Sequence, residues 1–403
     1  MQRSRPGKPR CRQPAKKNSY DAGAICAARD CVAVARPRIL QVLLCFRVGG
    51  SEIFGLELSR QLAERGAEVL CGAIDGSPGP LIGRCREYGI EPVDLGIPAN
   101  ILGRNGISAR LVRRIHELRP DGLHLQHFIG LNKLGVPARL AGVPRIIVTE
   151  HSVLDVDQSW RTRLRARLGW RLADKITVIH PSIRDYLCNR LGLPAERVEA
   201  IPLGIEIERY APQDRAACRA RLGLGHETVF VFVGRLAPVK NVPGLIATFL
   251  EVQSQGAPQA KLLVVGDGED RAACEEATRS HAFGNRVSLL GEQSDTRPFL
   301  AAADVFILNS RSEGTPRALL EAMAMGLPGL CPAVGGIPDM LEGRGWLTEP
   351  NDPGSLRDTI HRVLRQPGEI DSFSESCRQY VRAHFDSQQV VDRYWKLLTE
   401  EAP

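Results

Sequence analysis

No run of about 18 apolar residues occurs in the 403-residue sequence, so a transmembrane helix is not expected. Zinc-finger spacing is missing too: the eleven cysteines include no C-x-x-C pair and no His at finger distance. Most lie in apolar strings, as Cys45 does in ILQVLLCF and Cys71 in AEVLCGAI, which reads as small core hydrophobes in a reduced compartment. The basic start lacks a clean apolar stretch with a cleavage site, since AGAICAARDCVAVA is broken by Arg29 and Asp30; no signal peptide is expected. The body of the chain also lacks charge excess. Residues 1–37 hold nine Lys or Arg and two Asp, which accounts for the whole net charge of +7. Nucleic acid is therefore not an expected partner, and residues 1–37 read as a basic disordered tail or an over-extended start.

What is present is alternation. From Arg38, RILQVLLCF is a continuous apolar run suited to a strand buried on both faces. The turn Gly49-Gly50 follows, then a helical stretch, SEIFGLELSRQLAERG, with Glu57, Arg60 and Glu64 left for solvent and Gly66 as its cap. AEVLCGAI is the next strand, so the segment is a βαβ unit of a doubly wound sheet. GLHLQHF, VPRIIVTEH and DKITVI continue the first series; IPLGIEIERYAP reads as a linker. A second series runs through TVFVFVGRL, AKLLVVGDG, RVSLLG, VFILN and GLCPAV with helices between. SQQVVDRYWKLLTEE is a terminal amphipathic helix.

Three elements at strand ends of the second half carry chemistry. In SEGTPRALLEAMAMGLP, Glu313 and Glu321 are a loop and a helix carboxylate that can read sugar hydroxyls, and the N–H groups of Gly314 and Thr315 lie near a helix start that favours an anion. In VGRLAPVKN, Arg235 and Lys240 can clamp a diphosphate. VGDGED is a strand-end glycine turn. Each alone could be a solvated loop; their shared place at the carboxyl ends of parallel strands, where open sheets bind ligands, gives them weight.

These motifs, with VGGIPDM, resemble the donor-binding half of family 4 of the glycosyltransferases, and the resemblance runs from about residue 38 to the end. It implies a GT-B fold: two Rossmann-like, doubly wound parallel-sheet domains facing a central cleft. By position, Arg235 and Lys240 resemble the pair that holds the donor diphosphate. Glu321 resembles the carboxylate on the ribose, and Glu313 the one on the donor sugar, with Gly314 and Thr315 as its backbone neighbours. Gly49-Gly50-Ser51-Glu52 resembles the Gly-Gly-x-Glu turn, where the Gly50 N–H approaches the donor phosphate. His151 in VTEHS matches the His near the transferred sugar. The chain departs from the pattern at Gln126, where the second His of His-x-His is usual, and at Leu203 for Asn. The usual Ser of the segment VIHPS is replaced by His180 or displaced to Ser182, and Asp339 replaces Glu.

The resemblance implies a retaining, metal-independent glycosyltransferase of the hexosyltransferase type. It would have no cofactor, a nucleotide-diphosphate sugar as donor, and a glycan or lipid-linked acceptor in cell-surface polysaccharide synthesis. Residues 38–205 would hold the acceptor and 206–384 the nucleotide sugar, with 385–403 packing back on the first domain. Readings left open are a nucleotide-sugar epimerase of the same fold and a non-catalytic sugar-nucleotide binding protein. No metal site is expected: His124 and His127, read on one strand, face opposite sides. Asp155-Val156-Asp157 reads as loop carboxylates, although it matches the Asp-x-Asp of metal-dependent GT-A transferases. In WRTRLRARLGWRLADK, Arg161, Arg163, Arg165, Arg167 and Arg171 accompany Trp160, Leu164, Leu168 and Leu172. That pattern suits a helix packed on the sheet or one lying on an anionic membrane surface. The expected location is the cytoplasm, with peripheral contact to the inner face of the membrane.

Overall fold

The computed structural model describes residues 36–97, 109–151 and 160–400. The first series forms β1 (Arg38–Leu43), β2 (Glu68–Ala73), β3 (Glu91–Pro92), β4 (Gly122–Gln126), β5 (Arg145–Glu150), β6 (Lys175–Val178) and β7 (Val198–Ala200). The second forms β8 (Thr228–Val233), β9 (Ala260–Val265), β10 (Val287–Leu289), β11 (Val305–Ile307), β12 (Gly329–Pro332) and β13 (Gly345–Thr348). They make two sheets, in the orders β3-β2-β1-β4-β5-β6-β7 and β10-β9-β8-β11-β12-β13. Every pairing is parallel. Helices cover both faces, so the central strands are buried throughout rather than on alternate residues; Val229, Phe230, Val231 and Phe232 are all inaccessible.

In each sheet the strand order reverses beside the first strand, at β1 and at β8. Chains leave these strands in opposite directions, which opens a crevice at the carboxyl ends. The halves are joined twice. The segment after β7 runs beside the residues preceding the C-terminal helix: Ile205 N donates to Phe385 O (2.7 Å) and Ser387 N to Ile205 O (3.1 Å). Gly204 permits this approach, since a Cβ there would lie 2.9 Å from Ser387 Cα.

The C-terminal helix Ser387–Thr399 packs on β4, β5 and the helix Gly50–Glu64 of the first half. Asp386 caps it, its Oδ1 accepting from Gln388 N (2.9 Å). Tyr394 is wholly buried, with its hydroxyl 2.8 Å from Thr149 Oγ1 and 3.0 Å from Thr177 Oγ1. His124 extends this polar row beneath the sheet, with Nδ1 2.8 Å from Gln41 Oε1 and Nε2 2.7 Å from Thr149 Oγ1. Burial pushes the His124 imidazole down to about 3, so it is neutral near pH 7 and bonds through one N–H and one lone pair.

Candidate active site

Every candidate residue outside the helices follows the carboxyl end of a strand. After β11 the chain turns through Ser310 and Glu313 before the helix Arg317–Ala324. Glu313 Oε1 accepts from Lys240 Nζ (2.5 Å) and from Ser310 Oγ (2.6 Å). Lys240 comes from the loop after β8, so two loops of the second sheet converge on one carboxylate. Arg235, on the same loop, is exposed, and its guanidinium makes no hydrogen bond or ion pair among the described residues. Two expected cations thus stand at one strand end, one paired and one available to an anion.

Glu321 is buried on the helix Arg317–Ala324. Its Oε1 accepts from Arg317 Nε (2.8 Å), one turn earlier. The buried Tyr210, from the connection between the halves, lies close: burial, then the Glu321 charge, pushes its phenol up. Two buried polar atoms here have no partner among the described residues, Arg317 Nη1 and Thr315 Oγ1. A buried donor without a partner is costly, so both atoms are able to bond a ligand that reaches them.

In the first half, Gly49 caps the helix Gly50–Glu64 with extended backbone and no side-chain hydrogen bond. A Cβ added at Gly50 would meet nothing within 4 Å, so the space over this helix start is open. The Glu52 carboxylate folds back toward Gly49 and accepts from Ser51 Oγ (2.9 Å). His151, directly after β5, places Nε2 2.6 Å from Gln126 Oε1 and meets the Phe54 ring edge-on at 5.7 Å. Burial and the neighbouring His127 and His124 hold His151 well below the usual histidine range, so its imidazole is neutral. Below it, the buried Glu150 carboxylate accepts from His151 N (3.0 Å) and Phe128 N (2.9 Å).

The two half-sites touch. A Cβ at Gly314 would lie 2.8 Å from His151 O and 3.4 Å from Ile179 Cδ1, so only glycine lets the second-half loop approach the first half this closely. The structure therefore brings Lys240, Glu313, Gly314 and His151 into one crevice.

The sequence pattern described as Glycosyltransferase Family 4 matches residues 48–209, and that described as Glycosyl transferases group 1 matches residues 227–366. A GDP-mannose-dependent alpha-(1-6)-phosphatidylinositol monomannoside mannosyltransferase of Mycolicibacterium smegmatis is 30% identical over 298 residues, covering 68% of this chain and 75% of the relative. The chain belongs to the family 4 glycosyltransferases. This glycosyltransferase is also 26% identical over 366 residues to the N-acetyl-alpha-D-glucosaminyl L-malate synthase of Bacillus anthracis, covering 86% of this chain and 93% of the relative. Its GT-B fold is shared with Anabaena Alr3699/HepE, a structure solved with UDP and glucose, at a TM-score of 0.76 and 20% identity over 90% of this chain and 99% of that one.

Two sequence expectations for the glycosyltransferase need correction. Glu57, expected in solvent, is buried: it pairs with Arg60 (3.4 Å), Arg209 (3.1 Å) and the Tyr88 hydroxyl (3.2 Å), because the inter-domain connection packs over its helix. His127 is not on the strand with His124. The strand ends at Gln126, and His127, at φ 65, opens the helix His127–Leu140, with its ring 4.8 Å from that of His151. The sequence reading also missed Arg317, Tyr210 and Glu150. Arg317 had a legible signal, its i,i+4 spacing from Glu321; Tyr210 and Glu150 had none, being brought in by tertiary packing. The Asp155-Val156-Asp157 triplet lies outside the described residues, as do residues 1–35 and the side chains of Arg161 and Arg165. No helix among the described residues is long and apolar enough to cross a membrane.

Proposed function

We propose that this glycosyltransferase moves a sugar from a nucleotide-diphosphate sugar to a glycan or lipid-linked acceptor, with retention of configuration and without a metal, in cell-surface polysaccharide synthesis. The observation that carries the proposal is the crevice in which Lys240 and Glu313 meet beside Gly314 and His151. In this reading residues 206–384 hold the donor and 38–205 the acceptor, with 385–403 completing the first domain. Arg235 and Lys240 grip the diphosphate and offset its charge as it leaves, aided by the open helix start at Gly50 and the N–H groups of Gly314 and Thr315. Glu321 takes the ribose hydroxyls through the oxygen that Arg317 leaves free. Thr315 Oγ1 and Arg317 Nη1 gain partners when the donor binds. Glu313 orients the sugar. His151, neutral and held by Gln126, supports the sugar as a hydrogen-bonding group rather than as a cation.

Departure of the diphosphate on the face that the acceptor enters would retain configuration through an oxocarbenium-like transition state. The family resemblance supports this route. Closure of the cleft keeps water from the activated sugar.

The test is a thermal-shift panel of UDP- and GDP-sugars, since a bound donor raises the melting midpoint by mass action. Proton NMR of the product then reads the anomer, and EDTA reads the metal. An inverted product, or activity abolished by EDTA and restored by a divalent cation, would refute those parts of the proposal.

Peripheral attachment to an anionic membrane has its own support. On the helix Trp160–Gly169, Trp160, Leu164 and Leu168 are 64%, 49% and 55% exposed at helical spacing, with Arg163 and Arg167 also exposed. Sedimentation with phosphatidylglycerol vesicles, but not with phosphatidylcholine vesicles, is the expected outcome.

A further inference from the structure

Two positions that the family resemblance singles out, His180 (where the usual Ser is replaced or displaced to Ser182) and Asp339, face each other across the cleft. His180 follows β6 in the first half and caps the helix Pro181–Asn189. Its Nδ1 accepts from Ser182 N (3.2 Å) and lies 2.7 Å from Ser182 Oγ. A backbone N–H can only donate, so Nδ1 is the acceptor and the neutral ring carries its proton on Nε2. Nε2 is 3.2 Å from Asp339 Oδ2, in the first turn of the helix Ile337–Leu341 of the second half. The two side chains thus meet at ion-pair distance between the halves.

The ring also braces the donor loop. A Cβ at Gly336 would lie 2.8 Å from His180 Cδ2, and Gly336 N donates to Gly314 O (2.8 Å). Gly335 adopts φ 57, and the space beside it is filled by Glu313 O. Gly314 in turn rests on His151 O. The contacts close a circuit: His180 to Gly336, Gly336 to Gly314, and Gly314 back to the first half. Glu313 and Thr315 flank the midpoint of that circuit. Compared with a Ser–Glu pair the reach is redistributed, because His extends further than Ser and Asp is one methylene shorter than Glu.

We propose that His180 and Asp339 form an inter-domain clasp that positions the Glu313-Gly314-Thr315 loop and keeps water from the donor. Both are positioning residues, acting through Gly336. The consequence for water rests on the transferase reading; the clasp itself does not.

The experiment uses the full chain and three variants: His180→Ser, which keeps a good helix cap, Asp339→Asn, which keeps the shape, and the double His180→Ser/Asp339→Glu, which exchanges the reaches. Amide hydrogen exchange is read without ligand over residues 313–316 and 334–337, with melting midpoints confirming the fold. Each single variant is expected to exchange about twofold to fivefold faster there, and the double variant to return toward the wild-type rate. With the donor identified from UDP-glucose, UDP-galactose, UDP-N-acetylglucosamine and GDP-mannose, the ratio of donor hydrolysis to transfer should rise in the singles and fall again in the double. Unchanged exchange in both singles, or a double variant no slower than His180→Ser, overturns the clasp. A wild-type chain that turns over no nucleotide sugar refutes the transferase reading and leaves the exchange result standing.

Discussion

Glu313 is held by Lys240 and Ser310 together, so its carboxylate is already oriented before any ligand arrives. Removing the cation should therefore cost more than one charge. Lys240→Ala frees Glu313 to rotate and, in the proposed scheme, leaves the diphosphate with Arg235 alone. The expected loss in kcat is about 100-fold to 1,000-fold, the range for one preorganised group facing developing charge, with the melting midpoint nearly unchanged. Activity within a few-fold of wild type would remove Lys240 from the catalytic scheme. Glu321 makes a different prediction, because the proposed scheme gives it a role in binding the nucleotide rather than in the chemical step. Glu321→Ala should weaken binding of the free nucleoside diphosphate about 10-fold to 100-fold by calorimetry, as expected for a charge-assisted hydrogen bond, and affect kcat less. Much of this was legible from the residues alone. Glu313, Lys240 and Gly314 are close in space because each follows the end of a parallel strand, and strand ends can be read from apolar runs. Tyr210 could not be read in the same way: its nearness to Glu321 comes from the path of a linker, which no local pattern encodes.

At the scale of elements, continuous apolar strings marked the strands well, since burial on both faces leaves little room for polar residues. The strand-to-helix junctions were less legible. His127 looked like a strand residue until the backbone turned at φ 65, a conformation that no propensity of histidine announces. Glu57 looked solvent-facing because helical periodicity knows only one helix and not the connection that covers it. The Glu313–Thr315 loop and the His151 strand end make one close junction. Gly314→Ala should force the two apart, lowering stability by about 1–3 kcal/mol in denaturant titration and depressing transfer further than that loss explains. The C-terminal helix offers a milder test. Tyr394→Phe removes the hydroxyl but leaves Thr149 and Thr177 2.7 Å apart, still bonded to each other. The cost should accordingly be about 1 kcal/mol by urea unfolding.

The whole molecule inherits a pH dependence from its buried histidine. His124 is depressed to about 3 when folded, against an ordinary value of about 6.5 in the open chain. Between those values the unfolded state binds the extra proton, so stability is complete above about pH 6.5 and declines as pH falls toward 3, by up to about 1.4 kcal/mol per unit from this group. His151, depressed by burial, acts in the same direction. Melting midpoints at pH 7 and pH 5 should differ less in His124→Gln than in wild type; equal slopes would place the acid sensitivity elsewhere.

Tyr394 reaches back 245 residues to Thr149 and 217 to Thr177, and that separation has a bearing on biogenesis. A ribosome that has released the first sheet has not yet made the helix that covers the far side of β4 and β5, and must first translate the entire second half. For most of that interval the nascent first half carries an open flank and waits for its lid. Chaperone occupancy should accordingly peak after β7 emerges and drop only once the last helix clears the exit tunnel.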